Sequence, residues 1–274
     1  MAVYYIDGEF VDSTQAALPL SDMAILRGYA VFDYLRTYDG TPFHLHEHLQ
    51  RLQKSAALLH LDCPWSLEYM EEKVLELLRK NTFAEATVRL LITGGDSIDS
   101  ITPGSDPRLI IMVAEMKPFP SDWYTDGVKI ITAKVNRYIP GSKSTSYIPA
   151  IVALRKARQQ GAVESIYVNE HGQMLEGTTS NLFAVSGEQI LTPAIDILPG
   201  ITRDVVMRLA AEEYSVECAE IRRDSIDRYT EFFLTSSNKE VVPVVGIDED
   251  FHAAEPGPVT RRIMELFRRY TQSW

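Results

Sequence analysis

The chain has 274 residues, 45% hydrophobic and 24% charged, which supplies a substantial core for one large or two modest domains. Its 27 basic and 38 acidic residues give a net charge of -11. That argues against nucleic acid or an anionic membrane as partner, since both need a concentrated basic face, but it leaves room for a small anion held by one or two arginines.

In chain order, Val3–Ile6 and Glu9–Val11 read as a hairpin around Asp7-Gly8, and Ala30–Tyr38 as a strand closed by Asp39-Gly40. Leu49, Leu52, Ala56 and Leu59 recur at helical spacing over His46–His60, and Ser66–Lys80 repeats the pattern with Ser66 as N-cap. Thr87–Thr93 and Arg108–Ala114 are predicted strands. The stretch KPFPSDW from Lys117 is the best candidate for an interdomain linker. Beyond it come a strand at Val128–Val135, a helix at Tyr147–Gln160 ended by Gly161, and strands at Ser165–Val168, Asn181–Val185 and Gln189–Leu191. A helix over Ile201–Tyr214, strands at Phe232–Thr235 and Val241–Val245, and a helix over Pro258–Tyr270 complete the chain. Strands with interspersed helices, but without βαβ regularity, predict an α+β fold: a small domain over 1–116, a linker over 117–127 and a larger domain over 128–274. Cys63 and Cys218 lie far apart and outside any CxxC, which suits a reducing cytosol. The N-terminus shows no signal-peptide pattern, and no apolar run approaches the ~20 residues of a membrane span, so a soluble, cytoplasmic protein is expected.

Four features could carry chemistry. Lys143 stands just before a helix, and Glu176 opens the small-residue turn EGTTSN, an amine and a carboxylate able to grip an aromatic aldehyde from two sides. Arg51, beside Leu49 and Leu52, reads either as a snorkelling surface arginine or as a guanidinium turned inward to a phosphate. In LPGIT, Gly200 precedes a helix whose N–H groups and dipole suit an anion, with Thr202 either adding a hydroxyl or merely capping. The cluster Thr235-Ser236-Ser237-Asn238 follows a strand and reads as a turn or as a site edge. His44, His46 and His48 alternate, but a helix beginning near His46 breaks any metal geometry, and no metal is expected. GxGxxG, GxxxxGK[ST] and GxSxG are all missing.

In combination these residues resemble the fold type IV pyridoxal-phosphate enzymes: D-amino acid aminotransferases, branched-chain aminotransferases and aminodeoxychorismate lyases. The likeness runs from about residue 3 to residue 270. It rests on EHLQRLQKSA, the isolated lysine, LEGTTSNLF, LPGITRD, and FFLTSS followed by EVVPV, in family order. The resemblance implies a two-domain fold, a homodimer with its site at the domain interface, and pyridoxal 5'-phosphate as cofactor. It makes Lys143 the Schiff-base lysine, Arg51 the phosphate-binding arginine and Glu176 the carboxylate at the pyridine nitrogen. Gly200, Ile201 and Thr202 match the phosphate cradle, and Ser237, beside Ser236, takes the place of its usual threonine. Ser180 and Asn181 fall in the same turn as Glu176. Tyr147 stands for the tyrosine near the cofactor's phenolic oxygen, one residue closer to the lysine than in branched-chain enzymes. Such a lysine should be desolvated and neutral to attack an aldehyde.

The implied activity is transfer of an amino group between an amino acid and a 2-oxo acid such as 2-oxoglutarate. A D-amino acid is favoured as donor and a branched-chain L-amino acid comes next. The chain has neither the R-x-H of the best-known D-amino acid enzymes nor the FEGIR of branched-chain enzymes, reading Phe32-Asp33-Tyr34-Leu35-Arg36 at the latter. RGYAVFD and TGGDS are similar to a less common D-amino acid branch, which assigns the substrate carboxylate to Arg27, on a loop reaching a neighbouring subunit, and to Arg89. An arginine in a half-buried strand also needs a partner on general grounds. The rivals are 4-amino-4-deoxychorismate lyase, which shares the cofactor residues, and a non-catalytic cofactor-binding protein.

Overall fold

The computed structural model describes residues 2–274. The chain forms two compact units: one takes in the chain up to Lys117, Gly141–Ser146 and Trp274, the other Pro118–Pro140 and Tyr147–Ser273.

The first unit contains β1 (Val3–Ile6), β2 (Glu9–Asp12), α1 (Met23–Arg27), β3 (Ala30–Tyr38), β4 (Thr41–Pro42), α2 (Leu45–Leu58), α3 (Leu67–Lys80), β5 (Ala86–Thr93) and β6 (Arg108–Glu115). Its antiparallel sheet runs β2-β1-β6-β5-β3-β4. Alternation along β3 and β5 divides the side chains between two faces. Val31, Leu35, Val88, Leu90 and Ile92 pack with Leu49, Leu52 and Ala56 of α2 and Met70, Val74 and Leu77 of α3. Each fully buried Val, Leu, Ile or Met among them contributes about 1.5–3 kcal/mol. Phe32, Tyr34 and Arg36 point the other way, opposite Leu91, Arg89 and Thr87. One correction concerns Arg27, which ends the short helix α1 and is not on a loop. Five residues are too few to show a period. The helix is defined by its ends, where Asp22 accepts from the Ala24 N–H at 2.8 Å and Gly28 turns left-handed at φ 65°.

The second unit contains α4 (Asp122–Thr125), β7 (Val128–Lys134), α5 (Ile148–Gln159), β8 (Glu164–Val168), β9 (Gln173–Gly177), β10 (Asn181–Ser186), β11 (Gln189–Thr192), α6 (Ile201–Ala210), β12 (Ser215–Cys218), β13 (Ile221–Arg222), β14 (Glu231–Ser236), β15 (Glu240–Ile247), β16 (Phe251–His252) and α7 (Pro258–Gln272), with a 3-10 helix at Arg223–Arg228. The strand order β10-β14-β15-β7-β8-β9 is closed into a ring by pairing of Asn181 with Glu176. Strand β9 is thus the closing strand. Its Gln-Met-Leu-Glu-Gly composition has no β-branched residue, so local propensity does not announce it. α6 stops at Ala210, four residues short of its predicted end, and a turn leads into β12, which lies parallel to β11.

Candidate active site

In the first unit, Gly141–Ser146 lies along β3 as an extra edge. Phe32 N–H donates to Lys143 O at 2.8 Å, and Thr145 N–H to Ala30 O at 3.0 Å. Ser55 of α2 secures the same segment, its Oγ accepting from the Lys143 N–H at 3.1 Å and its carbonyl from Ser142 Oγ at 3.1 Å. The lysine backbone is therefore fixed by long-range bonds to β3 and α2, which is why Lys143 belongs to this unit and not to the C-terminal domain anticipated from the sequence. Its Nζ lies 4.7 Å from the centre of the Phe32 ring. The Arg89 guanidinium carbon lies 5.1 Å from the same centre and 5.3 Å from that of Tyr34. Lys143 and Arg89 are thus both neighbours of one aromatic ring. Arg27 is exposed, with Nη1 donating to Leu26 O at 2.8 Å.

Arg51 is buried rather than snorkelling. Its Nε and Nη2 donate to the two oxygens of Asp33 at 2.8 and 2.7 Å, a bidentate clamp, and His48 Nδ1 lies 2.6 Å from Asp33 Oδ1. Burial alone would raise the Asp33 carboxyl, but the Arg51 charge and the hydrogen bonds of Arg51 and His48 hold it well below the usual carboxylate range. Burial lowers the His48 imidazole by more than Asp33 raises it. The other two histidines of the alternating trio go elsewhere, His44 to Glu47 and His46 to Glu71.

In the second unit, Glu176, Asn181 and Thr235 occupy one level across β9, β10 and β14. Glu176 is buried; Oε1 accepts from Arg137 Nη1 at 2.7 Å and Oε2 from the Leu198 N–H at 2.9 Å. Asn181 Nδ2 donates to Leu198 O at 2.9 Å, and its Oδ1 fills the space a Cβ on Gly200 would need, so any side chain at position 200 would displace Asn181. Gly200 begins α6 in an extended conformation with no side-chain cap, leaving Ile201 and Thr202 as the first helical residues; Thr202 is buried. The Thr235 hydroxyl is buried and has no hydrogen-bond partner among the described residues. Ser236 Oγ donates to Asn238 Oδ1 at 3.1 Å within the β14–β15 turn, and Ser237 follows it. Ser180 Oγ donates to Glu164 at 3.2 Å, so this hydroxyl serves the turn itself. Tyr147 immediately precedes α5 and packs with Tyr167, Leu175 and Ile197.

Comparison with known proteins bears on this residue set. The sequence profile of the amino-transferase class IV family matches residues 30–247. The chain belongs to the class IV aminotransferases. A putative branched-chain-amino-acid aminotransferase of Methanocaldococcus jannaschii is 35% identical, the match covering 98% of this chain and 96% of that protein. A D-alanine aminotransferase of Staphylococcus haemolyticus is 29% identical, with 100% and 99% covered. The branched-chain amino acid aminotransferase of T.th., solved with pyridoxamine 5'-phosphate, superposes with TM-score 0.92 at 27% identity, covering 99% of this chain and 94% of that one. The fold is therefore fold type IV and α+β, and this class IV aminotransferase depends on pyridoxal phosphate.

The residues present fit that cofactor. The uncapped start of α6 and the orphaned Thr235 hydroxyl can serve a phosphate, and a buried carboxylate suits a protonated pyridine nitrogen. Sequence reasoning missed Asp33, His48, Arg137 and Glu164. Asp33 stands where the family motif FEGIR carries an acid, and an acid there was the one available signal for the Arg51 clamp. The Glu176 partnership of Arg137, 39 residues away, has no local signature.

Proposed function

We propose that this aminotransferase moves an amino group between a D-amino acid and a 2-oxo acid such as 2-oxoglutarate. In this reading Lys143 carries the cofactor, Glu176 holds its ring nitrogen, and Arg51, Gly200, Ile201, Thr202, Ser236 and Ser237 surround its phosphate. Tyr147 faces its phenolic oxygen, with Ser180 and Asn181 shaping the turn. Bound there, pyridoxal phosphate supplies an electron sink for the pair left when the substrate Cα loses a proton. The protein's own work is then specific. The Lys143 amine takes and returns the proton at Cα. Glu176, held by Arg137 and the Leu198 N–H, keeps the proton at the ring nitrogen. Asp33 fixes the plane of the Arg51 fork, so the guanidinium meets a phosphate already oriented.

The observation that carries the carboxylate assignment is the Phe32 ring shared by Lys143 and Arg89, while the D preference rests on the RGYAVFD and TGGDS segments. It supports Arg89 as an anchor for the substrate α-carboxylate beside the amine that works on Cα. We assign Arg27, from a second copy of the chain in a homodimer, to the same carboxylate; sedimentation of a monomer alone would remove that assignment. The second reading, branched-chain L-amino acids as donors, is favoured by the 35% identical putative branched-chain-amino-acid aminotransferase of Methanocaldococcus jannaschii. Mixing the cofactor-loaded enzyme separately with D-alanine, D-glutamate and L-leucine decides between them. The D-acids should bleach the visible band, and bleaching by L-leucine alone overturns the D-specific reading. Arg89→Ala should raise KM for donor and oxo acid by about tenfold or more, with a smaller change in kcat. Unchanged Michaelis constants would remove Arg89 from the site.

A further inference from the structure

We propose that Lys239 and Glu164 form a positioning pair that locks the turn after Glu176 to the turn carrying Ser236 and Ser237, and so governs how tightly pyridoxal phosphate is held. The inference rests on the cofactor assignment above and adds two residues to it.

Glu164 is the first residue of β8, its side chain fully buried. Its Oε1 accepts from the Ser165 N–H at 3.0 Å, the Thr178 N–H at 3.1 Å and the Thr178 hydroxyl. Its Oε2 accepts from the Thr179 N–H at 3.3 Å, Thr179 Oγ1 at 2.8 Å, Ser180 Oγ at 3.2 Å and Lys239 Nζ at 3.1 Å. One carboxylate therefore organises Thr178, Thr179 and Ser180, the residues between Glu176-Gly177 and Asn181. The fit is close enough to dictate sequence. A Cβ on Gly177 would overlap Ser180 Oγ and stand 3.0 Å from Glu164 Cγ.

Lys239 comes from the β14–β15 turn and is the side chain that ties it to this network. Its Nζ also donates to Thr179 Oγ1 at 2.6 Å, so the threonine hydroxyl accepts from the lysine while donating to the glutamate. The lysine's own turn is secured at its root. The Lys239 N–H donates to Ser236 Oγ at 3.3 Å, and its carbonyl accepts from the Tyr124 hydroxyl at 3.2 Å. Burial opposes ionisation of Glu164, and the Lys239 charge leads the interactions that reverse this, leaving the carboxyl below its ordinary range. Without Lys239 a buried anion would be left with neutral donors only, and both turns would lose the bond between them. Glu176 and Ser236-Ser237 are the two groups of residues those turns carry.

The test is the equilibrium dissociation constant of pyridoxal phosphate from full-length apoenzyme, measured for wild type, Lys239→Met, Glu164→Gln, the double variant and Lys239→Arg. Each charge-removing single variant should weaken binding about tenfold or more. The double variant should weaken it by less than the product of the two, because removing one partner strands the other. Lys239→Arg should restore most of the affinity. The pH at which the bound cofactor's absorbance titrates should also move in Lys239→Met, a change that mere loosening of the fold would not produce. Binding within twofold of wild type in both single variants, or losses that simply multiply in the double, overturns the proposal. If Lys239→Met does not fold by circular dichroism, Glu164→Gln and Lys239→Arg decide: binding within twofold of wild type in Glu164→Gln, or a loss of about tenfold in Lys239→Arg, overturns the proposal. Borohydride fixation of the cofactor on Lys143 in wild type checks the underlying assignment separately. Its failure there overturns the cofactor assignment and this inference with it.

Discussion

Asp33→Asn tests the buried clamp on Arg51 most directly. The variant keeps size and shape but removes the charge that faces Arg51 Nε and Nη2 at 2.8 and 2.7 Å and His48 at 2.6 Å. Asp33 is fully buried and Arg51 is 7% exposed, so solvent cannot replace the lost counter-charge. Stranding a buried charge in this way costs about 3–5 kcal/mol. The remaining amide oxygen can still accept one bond, recovering about 0.5–1.5 kcal/mol. The expected loss is therefore roughly 1.5–4.5 kcal/mol. Urea unfolding of the apoenzyme, followed by circular dichroism, measures it. Because Arg51 is assigned to the cofactor phosphate, saturating pyridoxal phosphate should return part of that loss by supplying a new anion. An apoenzyme variant within about 0.5 kcal/mol of wild type would show that the pair is not the stabilising element argued here.

Glu176→Gln should lower kcat about 100-fold, since an amide cannot hold the ring-nitrogen proton as a carboxylate does, while the lysine stays intact; kcat within threefold of wild type would refute the role. Acid should destabilise the fold in two steps of the same sign. His48 is held below its ordinary value, so the unfolded chain takes up this proton from about pH 6.5 downward while the folded chain does not, and stability falls. Asp33 and Glu164 are also depressed and contribute stability above their unfolded values that is lost as pH drops through about 4 and below. Unfolding free energies at about pH 8 and pH 5 should differ in wild type and differ less in His48→Gln; a wild type equally stable at both would contradict the His48 assignment.

The sequence was legible where local signals coincide with long elements. Ala30–Tyr38 forms β3 with the bounds its pattern predicts, and α3 starts behind Ser66, which accepts from the Tyr69 N–H at 3.2 Å. Lys143 and Glu176 stood out through their neighbours in the chain. Long-range pairing was hidden. Arg51 could be read as surface or inward until Asp33, 18 residues earlier, appeared on the core face of β3. The lysine segment's own residues say nothing of the β3 edge that holds it. Strand β9 exists because β8, β10 and β13 pair with it, not because its residues favour extension.

Two lysines show why residue type needs this context. Lys239 is well covered, but its amine is committed to Glu164 at 3.1 Å and Thr179 at 2.6 Å, so attack on an aldehyde would dismantle the network that organises Thr178–Ser180. Lys143 lies over the Phe32 ring, and its backbone is anchored by Phe32 N–H, Ser55 and the neighbouring Thr145. A side chain whose work requires it to form and release a bond is better placed on a fixed backbone than inside a buried ion pair. On the proposed reading, Lys143 on its fixed backbone carries the cofactor, and Lys239 in its buried ion pair holds the two turns together.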